Sequence, residues 1–131
     1  KKTYVPQRLP VRHVVQVKLS WGLDWYIIFP PENYQRVFGD CGYAELLYDD
    51  VSHEIIIRPV RRRTANSLTI RHGRYIMFNG FYKAFGLQIK SMSEAKYDVL
   101  PNGDVAIKVK SFQIPTEPDT RRRVKGRRRT A

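Results

Sequence analysis

Two stretches of this chain carry one pattern: YIIFPPENYQRVFG, from Tyr26 to Gly39, and YIMFNGFYKAFG, from Tyr75 to Gly86. Each is a β-prone aliphatic-aromatic run, then a short helical segment, then a closing glycine. Tyr26-Ile27 matches Tyr75-Ile76 at a shift of 49, and Arg36-Val37-Phe38-Gly39 matches Lys83-Ala84-Phe85-Gly86 at 47. Further on, Ile55-Ile56-Ile57-Arg58 matches Val105-Ala106-Ile107-Lys108 at 50. The shift changes only where loops belong. A duplication of this size limits the fold severely, because each copy is too small to bury its own apolar face and must share a core with the other.

The local signals give the order of elements within each copy. In VRHVVQVKLS, Val15, Val17 and Leu19 alternate with Val14, Gln16 and Lys18, the period of a strand. WGLDW supplies a turn, and YIIF a second strand stopped by Pro30-Pro31. PENYQRVFG suits two or three helical turns with Tyr34, Val37 and Phe38 on one stripe and Gly39 as the left-handed stop. YAELLY and EIIIRPV form a hairpin about DDVSH, the second strand ending at Pro59. After RRRTANS the series recurs: LTI, RHGR, YIMF, the helix NGFYKAFG, then strands EAKYDV and DVAIKVKSF about LPNG. The expected class is mostly β with two short helices, as two ββαββ repeats. The expected layout is an arm over 1–11, repeats over 12–60 and 67–112, a basic linker over 61–66, and an Arg-rich tail over 113–131.

Composition narrows the function. The chain has 131 residues, with 24 Lys and Arg against 12 Asp and Glu, a net charge of +12. The closing RRRVKGRRRTA holds seven basic residues and no acidic one: Arg121, Arg122, Arg123, Lys125, Arg127, Arg128 and Arg129. Arg61-Arg62-Arg63 forms a second cluster at mid-chain. Clustered arginine of this kind points to a polyanion, most often nucleic acid. No apolar run is long enough to span a bilayer, and KKTYVPQRLP has no apolar signal core, so the expected compartment is the cytoplasm. The single cysteine, Cys41, excludes an internal disulfide and reads as a packing residue. His13, His53 and His72 show no ligand spacing, so neither metal nor cofactor is expected. Asp49-Asp50 reads as a solvated turn and not an acid–base pair, and no nucleophile or phosphate-loop motif occurs, so no enzyme is expected.

The stretch from Tyr26 to Pro59 resembles the AbrB-like swapped-hairpin family. Phe29-Pro30, Phe38-Gly39, Gly42 and Ile57-Arg58-Pro59 stand at the family's strand-Pro, helix-Gly, post-helix Gly and terminal Ile-x-Pro positions. The second half is similar through HGRYIMF and the helix-Gly ending, without the proline. Two such units in one chain look like the tandem, MraZ-type arrangement. The resemblance implies a pseudo-two-fold barrel made by exchanged hairpins, flanked here by basic N- and C-terminal extensions and able to stand as a monomer. It also implies DNA binding through the turn before the second strand and the end of the helix. Arg71, Arg74 and Lys83 match in the second half and Arg36 in the first, although Arg36 and Lys83 also suit a helix C-terminus on charge alone. In the first half Asp24-Trp25 occupies the Gly-Arg position, so the second half is expected to face the nucleic acid and the first half to face elsewhere.

Two partners fit: DNA, for a transcriptional regulator or chromosome-associated protein on the nucleoid, or ribosomal RNA, for a ribosomal protein gripping through its arms. Tyr34, Phe38, Phe81 and Phe85 read as core, and Trp21 and Trp25 as covers over the barrel end. Deleting residues 120–131 removes seven positive charges. In a salt titration on duplex DNA the slope of log affinity against log salt should flatten by up to about six, at roughly 0.9 per phosphate contact. An unchanged slope would mean that this segment touches no phosphate.

Overall fold

Every pairing between named strands is antiparallel, and together the strands form one sheet in the order β7-β1-β2-β6-β5-β3-β4-β9-β8. The computed structural model describes residues 13–72 and 74–114. The strands are β1 (Val14–Leu19), β2 (Trp25–Ile28), β3 (Tyr43–Asp49), β4 (Glu54–Val60), β5 (Ser67–Arg71), β6 (Tyr75–Met77), β7 (Ser93–Lys96), β8 (Asp98–Val99) and β9 (Val105–Lys108). Helix α1 (Pro31–Phe38) and helix α2 (Asn79–Ala84) complete the framework. The sheet's two end strands, β7 and β8, are joined through Tyr97 alone, which nearly closes it into a barrel.

Register explains which side chains meet inside. Val17 pairs with Ile27, Ile27 with Ile76, and Ile76 with Ile70, so one row of four buried aliphatics crosses β1, β2, β6 and β5. On the other wall, Ile55 faces Ile107 and Ile57 faces Val105, all four fully buried. Phe29 and Phe78, which end the second-strand runs, fill the interior, and Phe29 meets Phe38 edge-to-face at 5.1 Å. Pleating sends the intervening residues outward, so the same register also sets the surface.

Both helices start and stop for local reasons. Pro31 occupies the first turn of α1, where no N–H partner is needed, and Glu32 beside it suits the helix dipole. Phe38 is buried, Tyr34 and Val37 are half-buried against the core, and Asn33 is fully buried, its Nδ2 donating to the Val14 carbonyl at 3.4 Å. After α2, the Leu87 N–H bonds the Tyr82 carbonyl and the Gly86 N–H bonds that of Lys83, with Gly86 at φ 59. That is a Schellman ending, as the closing glycine led one to expect. Gly39 differs. Its φ of 53 comes with ψ of −115, and the Cys41 N–H bonds the Phe38 carbonyl at 2.7 Å. This is the first central position of a type II′ turn, an equally glycine-demanding place.

Three expectations change. The EAKYDV run is not one strand: it pairs with β1 as far as Lys96, breaks at Tyr97, whose N–H bonds the His13 carbonyl, and then joins β9. The change of partner, invisible to periodicity, forces the break. β9 likewise ends at Lys108 in a 3-10 turn over Val109–Ser111. β4 instead runs past Pro59 to Val60, because β9 pairs only with residues 54–57. Pro59 therefore lies where the strand has one neighbour, the condition under which proline is tolerated.

Alanine at Ile27 or Ile76 should cost about 2–5 kcal/mol, as for other fully buried large-to-small changes. Gly39→Ala should cost roughly 1–2 kcal/mol through backbone conformation alone, and Gly42→Ala, with open space and no positive φ, should stay within about 0.5 kcal/mol. Urea denaturation followed by circular dichroism measures all four.

Candidate nucleic-acid interface

The outward positions of β1, β2, β6 and β5 form a continuous patch. Lys18 stands opposite Tyr26 and Tyr26 opposite Met77; in the next row Gln16 stands opposite Ile28, Ile28 opposite Tyr75, and Tyr75 opposite Arg71. None of these side chains is a carboxylate. Glu94 lies one strand further out, on β7 opposite Gln16. A cavity of about 320 Å³ opens on the patch, lined among others by Lys18, Tyr26, Arg71, His72 and Tyr75. The Tyr26 and Tyr75 rings meet edge-to-face across the central seam, with centroids 6.2 Å apart.

The turn that carries the cations is tightly built. The Arg74 N–H bonds the Arg71 carbonyl at 3.0 Å, and His72 takes a positive φ of 51. The Arg74 carbonyl in turn accepts the Phe29 N–H at 3.0 Å, fixing the turn against the end of β2. The Arg74 guanidinium folds over the Tyr75 ring, Cζ 5.2 Å from the centroid, and its Nη2 donates to the tyrosine hydroxyl at 3.2 Å. His72 meets the same ring edge-on at 5.9 Å.

The corresponding turn of the first hairpin is held differently. Asn79 donates to Asp24 Oδ1 at 2.7 Å, and its own Oδ1 accepts the Trp25 N–H at 2.5 Å. Asp24 is thus occupied in tying the hairpin to the start of α2. Trp25 does act as a cover, stacked on Tyr82 at 4.2 Å and nearly parallel. Trp21 does not: it is 102% exposed, with Leu23 beside it 73% exposed at a φ of 62. Turn geometry presents Trp21 to solvent, where the sequence suggested a cover, and Phe85, expected in the core, is 47% exposed just past the end of α2.

Arg71 and Arg74 are therefore brought together with an aromatic floor. Arg36 and Lys83 are exposed in the last turns of α1 and α2 and do not line this cavity. Arg36 lies near Tyr97, whose hydroxyl is pushed up in pKa by burial and pulled back by that positive charge. Arg61, Arg62 and Arg63 are exposed in the connection from β4 to β5. Arg121, Arg122, Arg123, Lys125, Arg127, Arg128 and Arg129 lie outside the described residues, as does the arm over 1–11. Lys18 and Tyr26 escaped the sequence reading, because one charge and one aromatic on an alternating strand look like an ordinary solvent face. They come from the first half. The cavity is therefore lined from both halves of the chain.

No protein-family model, curated protein or solved structure matches the chain. Among the described residues no group of three or more His, Cys, Asp and Glu could hold a metal, and no helix is long and apolar enough to cross a membrane. The Asp49 carboxylate is spent on its own turn, accepting the Val51 and Ser52 N–H groups, which with the Ser52 hydroxyl hold its pKa below the usual range.

Asn79→Ala removes both bonds at the first hairpin and should cost about 1–3 kcal/mol. Asp24→Asn, which keeps an acceptor at Oδ1, should cost clearly less. Thermal melts of the two variants against the parent chain decide it.

Proposed function

We propose that this protein binds nucleic acid, with β1, β2, β6 and β5 as its binding face, on a tandem swapped-hairpin barrel of the AbrB-like kind. The observation that carries the binding face is the run of outward positions with Lys18 and Arg71 and no carboxylate, bordered by Arg74 and His72. Cations gathered over such an area, on a chain of net charge +12, release counterions from a phosphate backbone and gain affinity by it.

The barrel reading is supported by the registers. β2 pairs with β6 about Ile27 and Ile76, which are equivalent at the shift of 49. β4 pairs with β9 about Ile56 and Ala106, equivalent at the shift of 50. The third strand of each half pairs with the first strand of the other, β3 with β5 and β7 with β1. An isologous contact between two like units has this form. On that footing the leading function is DNA-directed regulation or chromosome association. A second reading, ribosomal RNA binding, is favoured by the basic residues gathered at both ends of the chain, Lys1-Lys2 and the seven in RRRVKGRRRTA.

Fluorescence anisotropy with labelled duplex DNA and with structured RNA, repeated at rising salt, tests the proposal. Affinity should fall steeply with salt. Arg71→Ala or Arg74→Ala should weaken binding by roughly 1–3 kcal/mol if the side chain reaches a base edge, with discrimination relaxed at one position. Phosphate contact alone would weaken all sequences alike. Failure to bind either polymer at low salt would sink the proposal.

A further inference from the structure

We infer that the cavity over Tyr26 and Tyr75 takes unpaired nucleotides, so that the face reads a single strand and not the groove of a duplex; this rests on the nucleic-acid reading above. The two tyrosines sit at the middle of the patch, on the adjacent central strands β2 and β6, with Lys18 on one flank and Arg71 on the other. In a duplex the flat faces of the bases are hidden in the stack, and only edges and phosphates are offered. Tyr26 and Tyr75, half-buried in the lining of a cavity of about 320 Å³, offer ring surface that those edges and phosphates do not match. A splayed-out base reaches them, and its π-face is what an aromatic floor recognises. Flanking cations then meet the phosphates on either side. The volume lies at the lower end of the range for sites that enclose a small organic group, roughly 300–1,000 Å³.

A second observation points the same way. Ser20 also lines the cavity, and the next residue is Trp21, 102% exposed at the hairpin tip. A whole indole held in water is costly in the free protein. One residue beyond the cavity lining, it gives a strand a further surface on which to stack. Arg74 over Tyr75 completes a set in which cation–π contact and base stacking share one ring system. The outward face of β3 and β4 offers a contrast: Glu45 stands opposite Arg58 and Asp49 opposite Glu54, a mixed-charge surface with no preference for a polyanion.

The test uses the full chain and labelled oligonucleotides of about twelve nucleotides, long enough for one groove of this kind: oligo-dT, oligo-rU, and a duplex of the same length. Single strands should bind about tenfold tighter than the duplex at matched salt, and Trp21 fluorescence should be quenched by them. Replacing Tyr26 and Tyr75 by Leu should lower single-strand affinity about tenfold per ring, while duplex affinity changes less than about twofold. Replacing both by Phe keeps the rings and should retain binding, which separates loss of stacking from loss of fold; thermal melts check the Leu variants. The ratio of dT to rU affinity tells DNA from RNA as the source of the strand. Equal or tighter duplex binding, or single-strand binding indifferent to the Leu pair, would overturn this inference and leave the nucleic-acid reading standing. Binding to none of the three would overturn this inference, and with no binding to structured RNA either would overturn both.

Discussion

The pairing of Ile27 with Ile76 is the constraint on which the rest of the molecule depends. It joins the hairpin β1–β2 to the hairpin β5–β6, and neither could stand in water alone. Once joined, the inward row Val17, Ile27, Ile76, Ile70 becomes core, and the outward rows become the surface that carries Lys18, Tyr26, Tyr75 and Arg71. A slip of one residue at this seam would exchange the faces, burying the cations and exposing the aliphatics. The energy that sets the register is hydrophobic, and the chemistry of the surface follows from it. Site and core are two sides of one sheet.

That arrangement has a kinetic consequence. The local hairpins close cheaply, but β1 must find β7, with Val17 opposite Ser93, and β4 must find β9, with Ile55 opposite Ile107. Such distant pairings require most of the chain's loop entropy to be lost before their contacts form, which places this fold among the slower small domains. The exposed edge of β7 is handled locally. Glu94 exchanges both backbone hydrogen bonds with Gln113, which returns to cover it.

How much of this could be read from residues alone depends on the range of the cause. Strand, helix and turn positions follow from nearest neighbours: Val15 and Val17 alternate, Pro31 opens a helix, Gly86 closes one, and each reads correctly. The break at Tyr97 has a distant cause, the change of partner from β1 to β9, and no local signal marks it. Asn33 looks like a solvent-facing helix residue until its amide is seen bonded to Val14 across the core. At the candidate site, Arg71 and Arg74 stand out because only two residues of sequence separate them. Lys18 and Tyr26 join Arg71 only through the seam, and no reading of the first half alone could have placed them in the same cavity.

The proposed two-fold relation adds one more step. Under it, an axis through the Ile27–Ile76 pair would carry Tyr26 onto Tyr75 and make the two rings a symmetric pair. Their surroundings are not symmetric. The turn before Tyr75 puts Arg74 on its ring, whereas the turn before Tyr26 holds Asp24, bonded to Asn79, and thrusts Trp21 into solvent. A symmetric groove would accept a strand in either direction. One with a guanidinium at one end and an indole at the other distinguishes them, since one end favours a phosphate and the other a base. On the proposed reading, the divergence of the two halves, which weakens the case for a palindromic duplex target, would give the single-strand groove its polarity.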